Sequence, residues 1–463
     1  MVSAAAAYLK GKQALTRANA VSSGQKRIRL AAMQGGCLPQ NSQLSNGTTQ
    51  TSGTDRIFYQ LNSDYAWLAA VLVNGSPQSG SGALITPGNG VTFRMSLEQG
   101  GTSPPAIMAF PCPTLGPISS GGKTGHIIGD GEILVSAPTY KSSLLKGSYQ
   151  VIRLFKTVSA GQKWPVNWGY GNYGIINGPV VPSGSAGTSD QVNGTTVKDG
   201  SDLTYTGGAT FGAYAGGSTF WAPAFIVGEQ VTPFPTFLVA GDSVSAGFPS
   251  KLGQGYLGMA LEQAGFPLSW LPCGVPASTT ANLMNNPIAK KAADFVDYIL
   301  FHTISNDFAT GAITTLDQAK AALLSLCQTY ARAHLKLVFA TCLPRPSTTD
   351  AGATYAGQTK PAWEPLRLSF NNWMRDPGPN GAKAYLNANM KVGSVLAIMD
   401  PCVQVERNAD GSMITLDANG QQASGNGGFF LIGRSTDTTH PDQVLQAAMT
   451  ASVPTSLFTL PVL

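Results

Sequence analysis

Ser243, Asp437 and His440 are the residues of this chain whose types and spacing could perform covalent chemistry. A serine hydroxyl is a weak nucleophile until a neighbouring base takes its proton. His440 lies in Asp437-Thr-Thr-His440-Pro441, and a carboxylate three residues before an imidazole is close enough to orient the ring and stabilise its cation. Ser243 lies in Gly241-Asp242-Ser243, directly after the apolar run 237–240. A strand that breaks at a glycine and passes into a helix puts such a serine beside free backbone N–H groups, which can hold an oxyanion. Plainer readings stand beside these. Asp and Ser are ordinary turn residues, and Asp437-Thr-Thr-His440-Pro441 also reads as a helix start with proline in the first turn. The other histidines have blander accounts. His126 lies in a β-rich region, and His302 sits in an apolar strand as a packed core residue or a brace for the site. His334 ends a helix, where a basic side chain suits the dipole.

The order of these blocks resembles the SGNH (GDSL-type) hydrolases. Gly241-Asp-Ser-Val-Ser-Ala-Gly247 is similar to that family's first block, Ser305-Asn306-Asp307 to its Asn-Asp block, and Asp437-Thr-Thr-His440-Pro441 to its last block. The likeness covers roughly the carboxyl-terminal half. It implies a serine esterase in which Ser243 is the nucleophile, His440 the base and Asp437 its orienting carboxylate. It also implies an oxyanion hole formed by the N–H groups of Ser243 and Ala277 with the Asn306 amide, and no metal or organic cofactor. The chain departs from the family at three positions. Pro272 replaces the asparagine of the second block, Ala277 falls where that block has its oxyanion-hole glycine, and Ile304 falls where the third block has glycine. A backbone N–H does not depend on the side chain, but the site then requires a dihedral that alanine tolerates.

The elements that must position these residues are legible as a change of texture. From about residue 231, strands at 236–240, 268–271, 298–302, 336–341 and 395–399 alternate with helical patterns at 255–264, 288–294, 316–333, 363–373 and 443–451. That alternation predicts a parallel sheet covered on both faces, and with the resemblance a flavodoxin-like three-layer domain. Ligands bind beyond the carboxyl ends of such strands. Ser243, the Ala277 loop, Asn306 and the Leu343-Pro-Arg-Pro346 loop all follow strand ends and should meet at one edge. An irregular insertion at about 404–433 should lie beside His440.

Residues 27–228 read differently, as short apolar runs between Gly, Ser, Asn and Pro clusters, which predicts a β-sandwich or jelly roll. Asn193-Gly194 is a hairpin signal, and the Gly/Ser-rich run 183–208 reads as a long loop. Trp164, Trp168, Tyr170, Tyr173, Phe211, Tyr214, Phe220 and Trp221 crowd this region. They read either as a platform for sugar rings or as core and interface. The expected organisation is a basic Ala-rich lead (1–26), a β-rich accessory domain (27–228) and a hydrolase domain (229–463).

Only 11% of the 463 residues are charged and the net charge is +5, much of it before residue 30. This leaves no nucleic-acid footprint. No apolar stretch reaches membrane-spanning length, and the start is no clear signal peptide. The weakly charged surface suggests an extracellular or virion-associated protein. Cys273, Cys327 and Cys342 fall in apolar patterns, where a buried thiol is expected. No lid helix, as a long-chain lipase would need, is visible near the blocks. The expected activity is therefore hydrolysis of short-chain esters, O-acetyl groups of a polysaccharide foremost. The alternatives are a lipid or aryl esterase, and a virion- or tail-associated carbohydrate-binding or structural protein with a hydrolase-like domain. An intact Ser243, Asp437 and His440 argues against a relic.

Overall fold

The computed structural model describes residues 27–32, 43–44, 51–78, 80–99, 105–108, 110, 118–120, 123–141, 143–166, 196–199, 221, 223–248, 255–266 and 269–454. The chain divides into two compact units between Thr236 and Phe237, with Ser79–Gly82 grouped with the second. The join expected at 228/229 lies inside the strand Phe225–Gln230. That strand pairs on both sides, with Ile28–Ala32 and Tyr65–Val73, so the first unit has to run past it.

Besides two short two-stranded pairs, the first unit contains two large antiparallel sheets among the described residues. One has the strands Ile28–Ala32, Phe225–Gln230, Tyr65–Val73 and Ile133–Val135 in that order; the other is built around Ser52–Gln60, Tyr149–Thr157 and Val91–Leu97. Along Tyr149–Thr157, Gln150, Ile152, Leu154 and Lys156 are buried while their neighbours are mostly less so, the period-two pattern of a strand with one face inward. Leu68 and Leu72 of the first sheet share a cluster with Phe93, Met95, Ile152 and Leu154 of the second. Lys156, on the inward side, is paired with Asp55, as a buried cation requires. Trp164 and Trp221 belong to this cluster at 0% and 1% exposure. These two are core residues and not a sugar platform. Trp168, Tyr170, Tyr173, Phe211, Tyr214 and Phe220 lie outside the described residues, as do residues 1–26, Asn193-Gly194, Cys37 and Cys112. Within the run read as a long loop, Thr196–Asp199 is a strand paired with Ser52–Gln60.

The second unit is the α/β part. Its sheet has five parallel strands, β1 (Phe237–Gly241), β2 (Trp270–Gly274), β3 (Tyr298–His302), β4 (Lys336–Ala340) and β5 (Ser394–Met399), in the order β2-β1-β3-β4-β5. β1, β2 and β3 are buried at every position, as strands covered on both faces must be. β2 runs to Gly274, past the expected end at 271. Pro272 does not stop it because β2 is an edge strand, where a missing N–H leaves no neighbour unpaired. The order reverses between β1 and β3, the kind of switch point at which such sheets bind ligands.

The helices are α1 (Tyr256–Gln263), α2 (Thr280–Asn285), α3 (Pro287–Ala292), α4 (Ser305–Ala309), α5 (Leu316–Tyr330), α6 (Glu364–Arg375), α7 (Ala382–Asn389), α8 (Cys402–Val405) and α9 (Gln443–Met449). α1, α8 and α9 pack together, and α2, α5, α6 and α7 form a second packed group. Local chemistry sets several ends. Thr315 and Gln318 close a capping box on α5, which removes two orphan donors. Asp442 caps α9 by accepting from Leu445 N. Pro441 therefore precedes the cap and is not in the first turn. No helix among the described residues is long and apolar enough to cross a membrane. Cys273, Cys327, Cys342 and Cys402 are buried free thiols.

The insertion after α8 is fastened by a buried cation. The Arg367 guanidinium, 0% exposed, donates to Glu364 at 2.8 and 2.5 Å, to Glu406 at 3.1 and 2.5 Å, and to Cys342 O at 3.0 Å. Glu406 also accepts from Gln422 Nε2 at 2.8 Å and Gly428 N at 2.7 Å, so helix α6 holds both ends of the loop. Burial pushes the Glu406 pKa up, but Arg367 and these donors outweigh it and hold the carboxyl below its ordinary value. Its contribution to stability is thus present above the unfolded pKa, near 4.5, and is lost as pH falls through the lower folded value. Replacing Arg367 by Met should cost about 3–5 kcal/mol, because two carboxylates are left buried without their cation. It should also invert the acid response. With Arg367 gone, burial raises the Glu406 pKa, and acidification from pH 7 then stabilises the variant relative to the wild type. Melting temperatures of both proteins between pH 7 and 4 test this; parallel curves would contradict it.

Candidate active site

Ser243 stands on a short turn beyond β1. Asp242 Oδ1 accepts from Val244 N at 2.9 Å, Asp242 O accepts from Ala246 N at 3.0 Å and Ser245 Oγ at 2.8 Å, and Ser243 O accepts from Phe248 N at 2.9 Å. These bonds fix the turn while the Ser243 hydroxyl stays at its rim. Gly241 is needed here for close approach: a Cβ at this position would lie 2.0 Å from His302 O.

The structure brings Ser243, His440 and Asp437 together. Ser243 Oγ lies 2.8 Å from His440 Nε2, and His440 Nδ1 lies 2.6 Å from Asp437 Oδ2. The second Asp437 oxygen accepts from Thr439 N and His440 N, each at 2.9 Å. Partial burial works to raise the Asp437 pKa, but the hydrogen bonds from the His440 ring and these two amides prevail and hold it well below the usual carboxylate range. A permanently ionised carboxylate keeps the proton of neutral His440 on Nδ1 and leaves Nε2 as an acceptor facing the serine. The Phe248 ring meets the His440 ring edge to face at 4.8 Å between centroids and packs that side of the imidazole.

The expected oxyanion donors follow the ends of the neighbouring strands. Among the described residues no protein acceptor takes the N–H of Ser243 or of Ala277. Asn306 lies in the first turn of α4 and not in an open loop. One N–H of its amide donates to Ser278 O at 2.9 Å, which leaves the second for a ligand. Asp307 accepts from Thr280 N at 2.9 Å and Thr280 Oγ1 at 3.1 Å, so α4 pins the loop that carries Ala277. The two positions where glycine is replaced keep a glycine-like backbone. Ala277 has φ +60° and Ile304 φ +81°, a region that costs L-residues about 1–2 kcal/mol.

Two further residues belong to the neighbourhood. Arg345, in a loop singled out only for its position, donates from Nη1 to Asn306 Oδ1 at 2.8 Å and from Nε to Thr439 Oγ1 at 3.2 Å. Its sequence signal was a single basic residue after a strand end, between two prolines. Thr438 donates from Oγ1 to Pro346 O. The other histidines stay in the background. His302 is 1% exposed, and Tyr256 Oη lies 3.0 Å from its Nδ1. Burial lowers its pKa, against the opposing field of Asp242. His126 lies in the first unit, and burial and Arg94 lower its pKa as well. His334 stands beyond the end of α5 at Tyr330. Among the described residues no group of three His, Cys, Asp or Glu could hold a metal ion. The arrangement can accept a proton from Ser243, retain it on His440, and offer donors to a negative oxygen.

Replacing Ala277 by Gly should stabilise the protein. Relief of the left-handed backbone is worth about 1–2 kcal/mol, and the added freedom of the unfolded chain takes back about 0.4–1 kcal/mol. A net gain of about 0–1.6 kcal/mol should appear as an equal or higher melting temperature; a clear loss would contradict the backbone described here.

No protein-family model matches the chain, and no curated protein matches it. About half of the chain is similar to solved structures. One is a carbohydrate acetylesterase family member from Sinorhizobium meliloti, at 14% identity and TM-score 0.32, over 48% of this chain and 97% of that one. A second is a member of the lipolytic protein G-D-S-L family from Veillonella parvula, at 13% identity and TM-score 0.29, over 47% of this chain and 97% of that one. A third is a GDSL-like lipase from Bacteroides thetaiotaomicron, at 11% identity and TM-score 0.30, over 47% of this chain and 85% of that one.

Proposed function

We propose that the second unit is a serine esterase of SGNH type. The observation that carries this reading is the continuous chain Ser243 Oγ, His440 Nε2, His440 Nδ1, Asp437 Oδ2, with spacings of 2.8 and 2.6 Å across the ring. Ser243 attacks the ester carbonyl carbon while His440 takes its proton. The carbonyl oxygen becomes an anion held by the N–H groups of Ser243 and Ala277 and by the Asn306 amide. His440 then passes its proton to the departing alkoxide, leaving an acyl-enzyme. Water attacks that ester by the same route in reverse order, which releases the acid and restores Ser243. Asp437 orients the ring and stabilises its cation throughout.

The finer reading is removal of short acyl groups, O-acetyl groups of a polysaccharide foremost. It is supported by the weakly charged composition and by the antiparallel unit that precedes the hydrolytic one in the chain. The buried Trp164 and Trp221 contribute no sugar contact to it.

A p-nitrophenyl ester series of increasing acyl length, measured with and without Ser243→Ala, tests both levels. Ser243→Ala should lower kcat by about six orders of magnitude and leave the melting temperature nearly unchanged, since an Oγ at the rim of a turn carries little packing. Full turnover in a folded Ser243→Ala protein would reject the assignment. Asp437→Asn should lower kcat by about 10⁴-fold through the wrong tautomer of His440. Acetate should be cleaved faster than octanoate, and acetate should be released from an acetylated polysaccharide. A preference for long acyl chains would favour a lipid esterase instead.

A further inference from the structure

Among the described residues of the second unit, Arg345 is one of the few arginines that make no ion pair. Its side chain is half-buried, at the end of the loop after β4. Its two protein partners are both neutral oxygens, Asn306 Oδ1 and Thr439 Oγ1. Among the described residues it has no ion pair, whereas Arg332, Arg375 and Arg434 each have one and Arg367 has two. An arginine carries five N–H donors in one plane. Two are used here, and the other three have no protein acceptor among the described residues.

The place of this cation matters. Asn306 carries the side-chain amide that would hold the oxyanion. Thr439 is the neighbour of His440, which would protonate the departing oxygen. The guanidinium therefore bridges the residue that would hold the oxyanion and the turn that carries His440, which would deliver its proton to the alcohol oxygen of an ester. Two neutral hydrogen bonds fix its orientation at little loss of charge. A planar, partly desolvated guanidinium held in that way matches a carboxylate with two parallel N–H···O bonds.

We propose that Arg345 is a specificity-determining residue that binds a carboxylate on the alcohol half of the substrate, so that the preferred substrate is an O-acyl ester of an acidic alcohol such as a carboxylated sugar. This rests on the esterase reading for the reaction, but not for the binding itself. Its covalent steps are those already given; Arg345 exchanges no proton or electron pair.

The test compares 4-acetoxybenzoate, which carries a carboxylate across one ring from the ester oxygen, with neutral phenyl acetate. Arg345→Gln keeps an N–H for Asn306 and loses the charge. In wild type, kcat/KM should favour the anionic ester; in Arg345→Gln the anionic-to-neutral ratio should fall about 10- to 100-fold, the worth of one charge-assisted pair. Any effect through Asn306 acts on both esters and cancels in the ratio. Arg345→Lys keeps the charge without the fork and should fall between the two. A second arm measures binding alone. In a Ser243→Ala background, 4-acetoxybenzoate titrated by NMR should bind at least about tenfold more tightly when Arg345 is retained than after Arg345→Gln. Should neither ester be hydrolysed in a Ser243-dependent manner, the esterase reading fails and the binding arm alone decides on Arg345. Equal ratios in wild type and Arg345→Gln, or 4-acetoxybenzoate binding no tighter than phenyl acetate, overturn the proposal.

Discussion

Strand β1 lies between two parallel neighbours, and the site depends on that placement. Parallel strands deliver their carboxyl ends to one edge, so Ser243 after β1, the Ala277 loop after β2 and Asn306 after β3 arrive on the same side without further device. The register is tight. Gly241 pairs with Gly274 on one side and His302 on the other, and a Cβ at Gly241 would press into the His302 carbonyl. That close approach sets where the Ser243 turn can begin. His440, 197 residues later in the chain, has to be brought to a position fixed by the sheet.

The donors on the other side of the serine are held at some cost. Ala277 and Ile304 both adopt positive φ, which is uncommon for alanine and rare for a β-branched residue. Their surroundings offset it. Ile304 is 1% exposed, and its buried side chain contributes packing that a glycine would lack. Asn306 and Asp307, soon after it, bind Ser278 and Thr280, soon after Ala277. Each strained residue is thus clamped by the segment that contains the other, and the pair forms one rigid unit beside the nucleophile.

Much of this was legible in the sequence where a pattern was long or a motif carried its own mechanism. The five strands of the second unit were each located to within a few residues, because buried strands give continuous apolar runs bounded by breakers. The contact between Asp437 and His440 was legible because partners three positions apart can touch. What was missed is short or non-local. Helices α2, α4 and α8 have six, five and four residues, too few for helical periodicity, and the eight-residue α7 was missed as well. The end of β2 was misplaced because proline reads as a breaker unless the strand is known to be an edge. Arg367 carries no signal in the sequence; only the fold reveals that Glu406, 39 positions away, comes to meet it. In the first unit the aromatic cluster could not be divided between core and surface, since a tryptophan in a β pattern serves either place equally well.

The loop after β4 links the two halves of the proposed chemistry. In that mechanism proton transfer needs His440 at a fixed distance from Ser243, and charge stabilisation needs the Asn306 amide at a fixed angle to the oxyanion. Pro346 O receives the Thr438 hydroxyl, and Arg345 reaches both Thr439 and Asn306. The turn that carries His440 and the helix that carries Asn306 therefore rest on the same few residues. Thr438 has φ +54° and is 1% exposed, so the turn is both strained and buried at the residue that makes this contact. A displacement of the loop would move base and oxyanion donor together and keep their mutual spacing. A substitution that cut only one of the two links would separate them. In a site assembled from segments so distant in sequence, such a shared support lets the relative position of His440 and Asn306 be more rigid than the segment that carries either of them.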